Sequence, residues 1–327
     1  MMSSETETAP VSKAASLPTG TPRLHMMVFA GLLAVLLVAP LVLYPVFLMK
    51  VLCFALFAAA LNLLLGFGGL LSFGHAAFFG LASYVAAHTA KVWGFTPEFA
   101  ILFGAGSAAV LGLGIGALAI RRQGIYFAMV TLAFAQMVFF FALQVPFTGG
   151  EDGIQAVPRG KLFGLIDLAN DFTLYFVVLA IVFGGLLLIY RIIHSPFGQA
   201  LKAIRDNEPR AVSLGFKVNH YKLAVFVMSA GLAGLAGATK AIVFQLASLS
   251  DVYWTMSGEV VLMTLLGGMG TIFGPIVGAA VIVTVQNYFA GLGAWVTVIE
   301  GVIFVVSVLL FREGIIGVLS RYLKKPL

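Results

Sequence analysis

Apolar residues run along this chain in blocks near twenty long, broken by brief polar stretches. That length carries a helix through ~30 Å of hydrocarbon at 1.5 Å per residue. The blocks fall at 26–44, 47–66, 70–90, 98–119, 124–145, 172–190, 221–245, 258–268, 275–290 and 295–311. They predict an all-α integral membrane protein of about ten transmembrane helices, the short block at 258–268 being the weakest crossing. Glycine clusters at 66–80 and 267–275 predict broken helices within it. The longest interruption, 191–222, contains SPFGQALKAIRDNEPRAVSLGFKVNHYK, a charged and helix-forming insert. A chain that is otherwise nearly continuous hydrocarbon keeps such an element for contact from the aqueous side.

Composition agrees: 61% hydrophobic, 10% charged and a mean hydropathy of +1.06, against about 25% charged residues in soluble domains. The formal charge of +6 suggests nucleic acid only until its positions are read. The basic residues cluster at the ends of apolar blocks, where they orient spans in a bilayer, so no nucleic-acid partner is expected and lipid is. Cys53, alone of its kind, lies inside an apolar block and reads as a small buried hydrophobe.

If every block crosses, Lys13, Arg23, Arg121, Arg122, the 191–222 segment, Arg312, Arg321, Lys324 and Lys325 share one side. The positive-inside rule makes that side cytoplasmic, with both termini on it. The expected organisation is a disordered cytoplasmic tail (1–25), one transmembrane domain (26–320) and a short cytoplasmic tail (321–327). The segment 146–171 then forms the main outer loop, where Arg159 and Lys161 are offset by Glu151, Asp152, Asp167 and Asp171.

No P-loop, nucleophile elbow, HExxH helix or paired-carboxylate motif occurs, so no enzymatic chemistry and no chain-bound cofactor or metal is expected. Gly104, Gly106, Gly112, Gly114 and Gly116 mimic a nucleotide fingerprint, but without a preceding strand they read as small-residue helix packing. Thr96-Pro97-Glu98 reads as a helix start with a capping hydroxyl. In the insert, Ser195 caps a helix opened by Pro196, and Phe197, Leu201 and Ile204 form one apolar face. Asn207-Glu208-Pro209 starts a second short helix over Ala211 to Leu214, ended by Gly215. Small residues Gly198, Ala200, Ala203 and Ala211 suit close approach to a groove, while a hairpin lying in the lipid headgroups fits the same pattern. In the cluster GFGGLLSFGHAAFFG (66–80), His75 reads either as a pathway residue or as a buried histidine bonded to a carbonyl. GGMGTIFGP (267–275) reads as a turn between broken helices.

These three clusters, with GIYFAMVTLAFAQ (124–136) and TGGEDGI (148–154), resemble the branched-chain amino acid ABC importer permeases, M-type subunit, over about 28–320. The resemblance implies that the insert couples to a separate ATPase through Pro196, Gly198, Ala200, Ala203, Arg205, Glu208, Ala211 and Gly215. It implies a second, homologous permease subunit, two ATPase subunits carrying ATP and Mg, and a periplasmic binding protein in a bacterial inner membrane. Gly69, Ser72, Gly74, His75, Gly268, Gly270 and Pro275 become candidates for the pathway or its helix breaks. FREGIIG (311–317) departs from the family, whose members usually carry proline in place of Arg312-Glu313. Similar permeases also carry urea, short amides or aromatic acids.

An ion-coupled secondary transporter is the competing class, and it needs ionisable groups deep in the membrane. Lys240, Glu259 and Glu300 are the candidates. Glu259 reads as a helix start after Ser257-Gly258. Lys240 and Glu300, each about five residues inside a span end, lie at equal depth, which makes a pair in the outer leaflet possible, the alternatives being a wet cavity or separate snorkelling to the interface.

Overall fold

The computed structural model describes residues 22–293, 295–310 and 314–323. The expected N-terminal tail falls almost wholly outside them, as do Arg312, Glu313, Lys324 and Lys325. Helix dominates: α1 Pro22–Val38, α2 Pro45–Asn62, α3 His75–Lys91, α4 Pro97–Ala119, α5 Ile125–Gln144, α6 Asp171–His194, α7 Pro196–Asp206 and α8 Glu208–Ser213. The series continues with α9 Val218–Phe244, α10 Trp254–Gly267, α11 Gly274–Tyr288, α12 Trp295–Leu310 and α13 Gly314–Leu323.

Five helical segments are long and apolar enough to cross a membrane: Pro45–Phe67, Pro97–Ala119, Ile125–Gln144, Asp171–His194 and Val218–Phe244. Shorter apolar helices cover His25–Leu41, Gly274–Tyr288 and Trp295–Ser307. α10, over the block expected at 258–268, has 14 residues, or about 21 Å at 1.5 Å per residue. The block expected at 70–90 is helical only from His75, because Gly69 is left-handed (φ 69°) and the Ser72 hydroxyl takes the Gly74 amide at 3.1 Å. α13 carries helix through Leu323, past the domain end expected at 320.

The all-α expectation needs a small amendment, since two pairs of two-residue strands occur on the loops. β1 (Ile154–Gln155) pairs antiparallel with β4 (Leu246–Ala247), and β2 (Lys161–Leu162) with β3 (Ile166–Asp167). The first pair fastens the 146–171 loop to the far end of α9. Arg159 adds to this, bonding Asp171 at 2.7 Å and the Val243 carbonyl at 3.0 Å.

The core is built around α2, α3, α4 and α9. α2 is buried on nearly all sides, consistent with an apolar helix surrounded by other helices rather than by lipid. The α4 glycines divide by face. A methyl group on Gly104, Gly112 or Gly116 would stand 2.8 Å from Ala238, 2.5 Å from Ala230 and 2.8 Å from Phe226, all on α9. Gly106 and Gly114 meet nothing within 4 Å. Three of the five therefore serve close helix approach, as small residues do where lipid offers no hydrophobic drive. Cys53 is completely buried, as its apolar setting implied.

Candidate functional site

The polar insert is folded back under one end of the bundle. Ser195 caps α7 by accepting from the Gly198 amide at 3.3 Å, with Pro196 in the first turn, where a missing amide hydrogen costs nothing. Leu201 and Ile204 are buried, and Phe197 is half-buried and stacks on Tyr221 with ring centroids 5.5 Å apart. The apolar face read from the spacing is thus directed into the protein. Asn207 caps α8 by accepting from the Arg210 amide at 3.0 Å, so this helix begins at Glu208 rather than Ala211. Gly215, at φ 86°, follows its end in the left-handed region that favours glycine.

Several residues expected to face a partner instead face this chain. Gly198 is buried against the last carbonyls of α6, which a side chain would strike. Ala211 is buried beside Ile204 and Val218. Glu208 is engaged at both oxygens, by Lys222 at 2.7 Å and by Gln123 at 3.1 Å. That pairing is forced by burial: the Lys222 side chain is 7% exposed and needs a counter-charge. Pro196, Ala203 and Gly215 remain exposed, and Ala200 is half-buried. Val212 and Leu214, which sequence reasoning did not select, are 57% and 69% exposed at the tip. Two apolar side chains displayed on a polar insert were the signal available.

Arg205 reaches inward as well. Its Nη1 donates to the Gly66 carbonyl, while Nε and Nη2 donate to Asp206 at 3.2 and 3.0 Å. Gly69 makes room for it, since a methyl group there would stand 2.7 Å from Arg205 Cγ. Gly66 belongs to a one-turn π-helix, Leu63–Phe67, that ends α2, the kind of bulge that recurs at functional sites. Lys202 Nζ lies 5.6 Å from the Phe67 ring centre. Partial burial lowers the pKa of this amine, and the Arg205 charge lowers it further.

One turn earlier, Asn62 is the single polar side chain in the stretch 51–67, and sequence reasoning passed over it. Its amide nitrogen donates to the Thr271 carbonyl at 2.7 Å and its oxygen accepts from the Gly270 amide at 2.9 Å. Asn62 therefore ties the π-turn to the break between α10 and α11. There Gly268 and Gly270 have φ of 125° and 78°, and buried Pro275 opens α11. Gly69, Arg205, Gly268 and Gly270 converge at this one end of the bundle.

The other expected residues form a second group. His75 is fully buried, and its Nε2 lies 2.8 Å from the Ser229 hydroxyl on α9, not beside a carbonyl. Ser229 in turn donates to the Ala60 carbonyl, so its oxygen accepts from His75 and the hydrogen sits on Nε2. Ser72 is buried, and Gly74 lies against Thr131 of α5, whose hydroxyl accepts from the Phe73 amide at 3.2 Å.

The candidate pair of Lys240 and Glu300 does not form. Lys240 Nζ donates to both oxygens of Asp251, at 2.8 and 2.7 Å, and the two side chains are 12% and 3% exposed. Asp251 sits eleven residues downstream, on the short turn Leu249–Asp251, near enough in sequence to reach Lys240 first. Glu300 is buried near Glu259 and Gln286. Glu259 is not a helix start: α10 begins at Trp254, and Glu259 accepts from Gln286 at 3.1 Å. At Thr96 the expected cap is replaced as well, its hydroxyl donating to Glu98 at 2.6 Å. No group of three or more His, Cys, Asp or Glu able to hold a metal occurs among the described residues.

The family described as the branched-chain amino acid transport system / permease component matches residues 43–310. The high-affinity branched-chain amino acid transport system permease protein LivM of Escherichia coli is 28% identical over 287 residues, covering 81% of this chain and 68% of the relative. Its counterpart from Salmonella typhimurium gives the same figures. The ribose import permease protein RbsC of Bacillus subtilis is 28% identical over 195 residues, 55% of this chain and 58% of its own. No solved structure matches. A multi-pass bundle with a structured polar insert at one end, matched over residues 43–310, makes this chain a member of the branched-chain amino acid transport permease family.

Proposed function

We propose that this chain is one of two homologous transmembrane subunits of an ATP-driven importer for branched-chain or related amino acids. A periplasmic binding protein delivers the substrate, and two separate ATPase subunits hold ATP and Mg. In this reading the chain crosses a bacterial inner membrane about ten times, with both termini and the 195–217 insert in the cytoplasm. The observation that carries it is the insert itself: a two-helix element whose base is fixed to the bundle while Ala203, Val212 and Leu214 remain exposed. An apolar tip on a rigid polar base suits a groove on a partner protein better than it suits water.

The mechanism follows from what the base is fixed to. When ATP closes the ATPase dimer, the insert is displaced as a unit. Arg205 carries the displacement to Gly66, and Asn62 carries it on to the α10–α11 break. Those two helix breaks can change course with few hydrogen bonds to exchange, so they open and close the path while α4 and α9 stay packed. The substrate class rests on the likeness to LivM. The family match supports this reading over the ion-coupled alternative, in which Lys240 would act as a pair with Asp251.

The test is co-expression of the tagged chain with its partner permease and ATPase subunits, followed by purification in mild detergent and reconstitution with the binding protein. The ATPase subunits should co-purify. Val212→Asp with Leu214→Asp should release them while the melting temperature holds. ATP-dependent leucine uptake should exceed that of urea, ribose or an aromatic acid. Uptake driven by an ion gradient with no ATPase present would overturn the reading.

A further inference from the structure

At the end of the bundle opposite the polar insert, the 146–171 loop carries a small hairpin with an unusual tip. Lys161 pairs with Asp167 and Leu162 with Ile166, and the Leu165 amide closes the turn on the Leu162 carbonyl at 3.0 Å. The two central residues, Phe163 and Gly164, have φ of 49° and 74°. Turns with two positive φ values favour Asn-Gly or Gly-Gly, because a bulky side chain is strained there. Here the strained position holds phenylalanine, which is 71% exposed, and Leu165 beside it is 87% exposed. Strain and apolar exposure thus coincide at one tip, which points to a compensating contact outside the chain.

The hairpin is not a loose arm. The Phe163 amide donates to Glu98 at 3.1 Å, the Leu168 amide donates to the Gly160 carbonyl at 3.2 Å, and Gly160 lies against Pro97. Pro97 and Glu98 form the first turn of α4, a helix of 23 residues. At 1.5 Å per residue it measures about 34 Å, so its first turn lies within roughly 2 Å of the edge of a ~30 Å hydrocarbon layer. Exposed aromatic residues lie near this level, Trp93, Phe95 and Phe99, with Phe103 about 9 Å further along α4. Trp93 contacts Phe95, and Phe95 contacts Phe103, at centroid distances of 5.7 and 5.6 Å. Of these, Trp93 is the residue type that collects where headgroups meet acyl chains.

We infer that the Phe163–Ile166 hairpin tip is immersed in the lipid interface on this side of the membrane, as an anchor that fixes the 146–171 loop to the bilayer. The stretch 162–166 carries no ionisable residue. Lys161 and Asp167 face each other at its base, where they remain at headgroup level. A soluble partner would require the tip to stand clear of the bilayer, whereas its tether to the first turn of α4 holds it at the membrane edge. The inference rests on the membrane family and is independent of the substrate and of the ATPase partners.

The experiment places an environment-sensitive fluorophore at Leu165→Cys, in a Cys53→Ala background, in proteoliposomes of phosphatidylethanolamine and phosphatidylglycerol. Ile166→Cys provides a second probe site, and Glu151→Cys, exposed on the same loop, a control. Emission from positions 165 and 166 should be quenched by lipids carrying a shallow doxyl group and spared by aqueous iodide. The control should behave in the opposite way. Iodide quenching at 165 and 166 without lipid quenching would overturn the inference, as would shielding from iodide that appears only when the purified binding protein is added.

Discussion

Arg205, on a helix of the polar insert, donates to the carbonyl of Gly66 inside the π-turn of α2, and Gly69 lacks a side chain where that arginine passes. Insert and bundle are thereby joined by a guanidinium, which is planar, always charged and able to bind several acceptors at once. Asn62 extends the join to Gly270 and Thr271. Each link can be broken by a single substitution.

Asn62→Leu leaves the Gly270 amide and the Thr271 carbonyl without their partner, at a cost of about 1–3 kcal/mol for each group that water cannot reach. Arg205→Ala removes the link and leaves the exposed face of the insert intact. The expected outcome for Arg205→Ala is an assembled complex that hydrolyses ATP but transports less substrate per ATP, with Arg205→Lys recovering part of the loss. Equal transport per ATP in wild type and Arg205→Ala would remove the link from the mechanism.

Lys240→Met strands the Asp251 carboxylate in a site where it is 3% exposed, a loss of about 3–5 kcal/mol by comparison with other broken buried pairs. Adding Asp251→Asn should restore most of the lost stability, because the stranded charge is gone. Glu300→Gln should restore none of it. Thermal melting of the three variants in detergent decides between the two partners, and rescue by Glu300→Gln would contradict the geometry.

Ser229→Ala removes both the acceptor of the His75 Nε2 hydrogen and a donor to the Ala60 carbonyl. A buried imidazole without a partner costs about 1–3 kcal/mol. Destabilisation with uptake per folded molecule unchanged is the expected result for Ser229→Ala and for His75→Leu. Loss of uptake in well-folded His75→Gln would place the imidazole on the substrate path.

Gly237 and Gly106 make a controlled comparison. A methyl group at Gly237 collides with the Phe79 carbonyl, whereas one at Gly106 meets nothing within 4 Å. Gly237→Ala should lower stability by about 1–3 kcal/mol through overpacking between α3 and α9. Gly106→Ala should be neutral or raise stability by up to ~1 kcal/mol, since alanine costs less chain entropy than glycine in a helix. Equal melting temperatures for the two variants would contradict the packing.

The sequence was sufficient for elements whose physics is local. Hydrocarbon demands an uninterrupted run of apolar residues with every backbone group bonded inside its own helix. The blocks at 98–119 and 124–145 accordingly end within a residue of α4 and α5. Capping is equally local: Ser195 and Asn207 each bond the amide three residues on, so both short helices of the insert were readable from their caps. Gly215 as a left-handed terminator belongs to the same class, because its requirement is its own φ.

What the tertiary structure decided was the identity of the partners distant in sequence. Small size at Gly198 fits a foreign groove or the end of α6 equally well, and only packing shows that α6 is there. Equal depth made Glu300 a reasonable neighbour for Lys240, but depth fixes one coordinate of three, and Asp251 occupies the right place around the bundle. Asn62 carried a legible signal, a lone amide in a hydrophobic run, since an amide in hydrocarbon must find partners. Which backbone groups it binds, 208 and 209 residues away, is set by how α2 and α10 come together. A one-dimensional pattern fixes the elements and their ends, and the three-dimensional packing fixes which residues are buried and what each one meets.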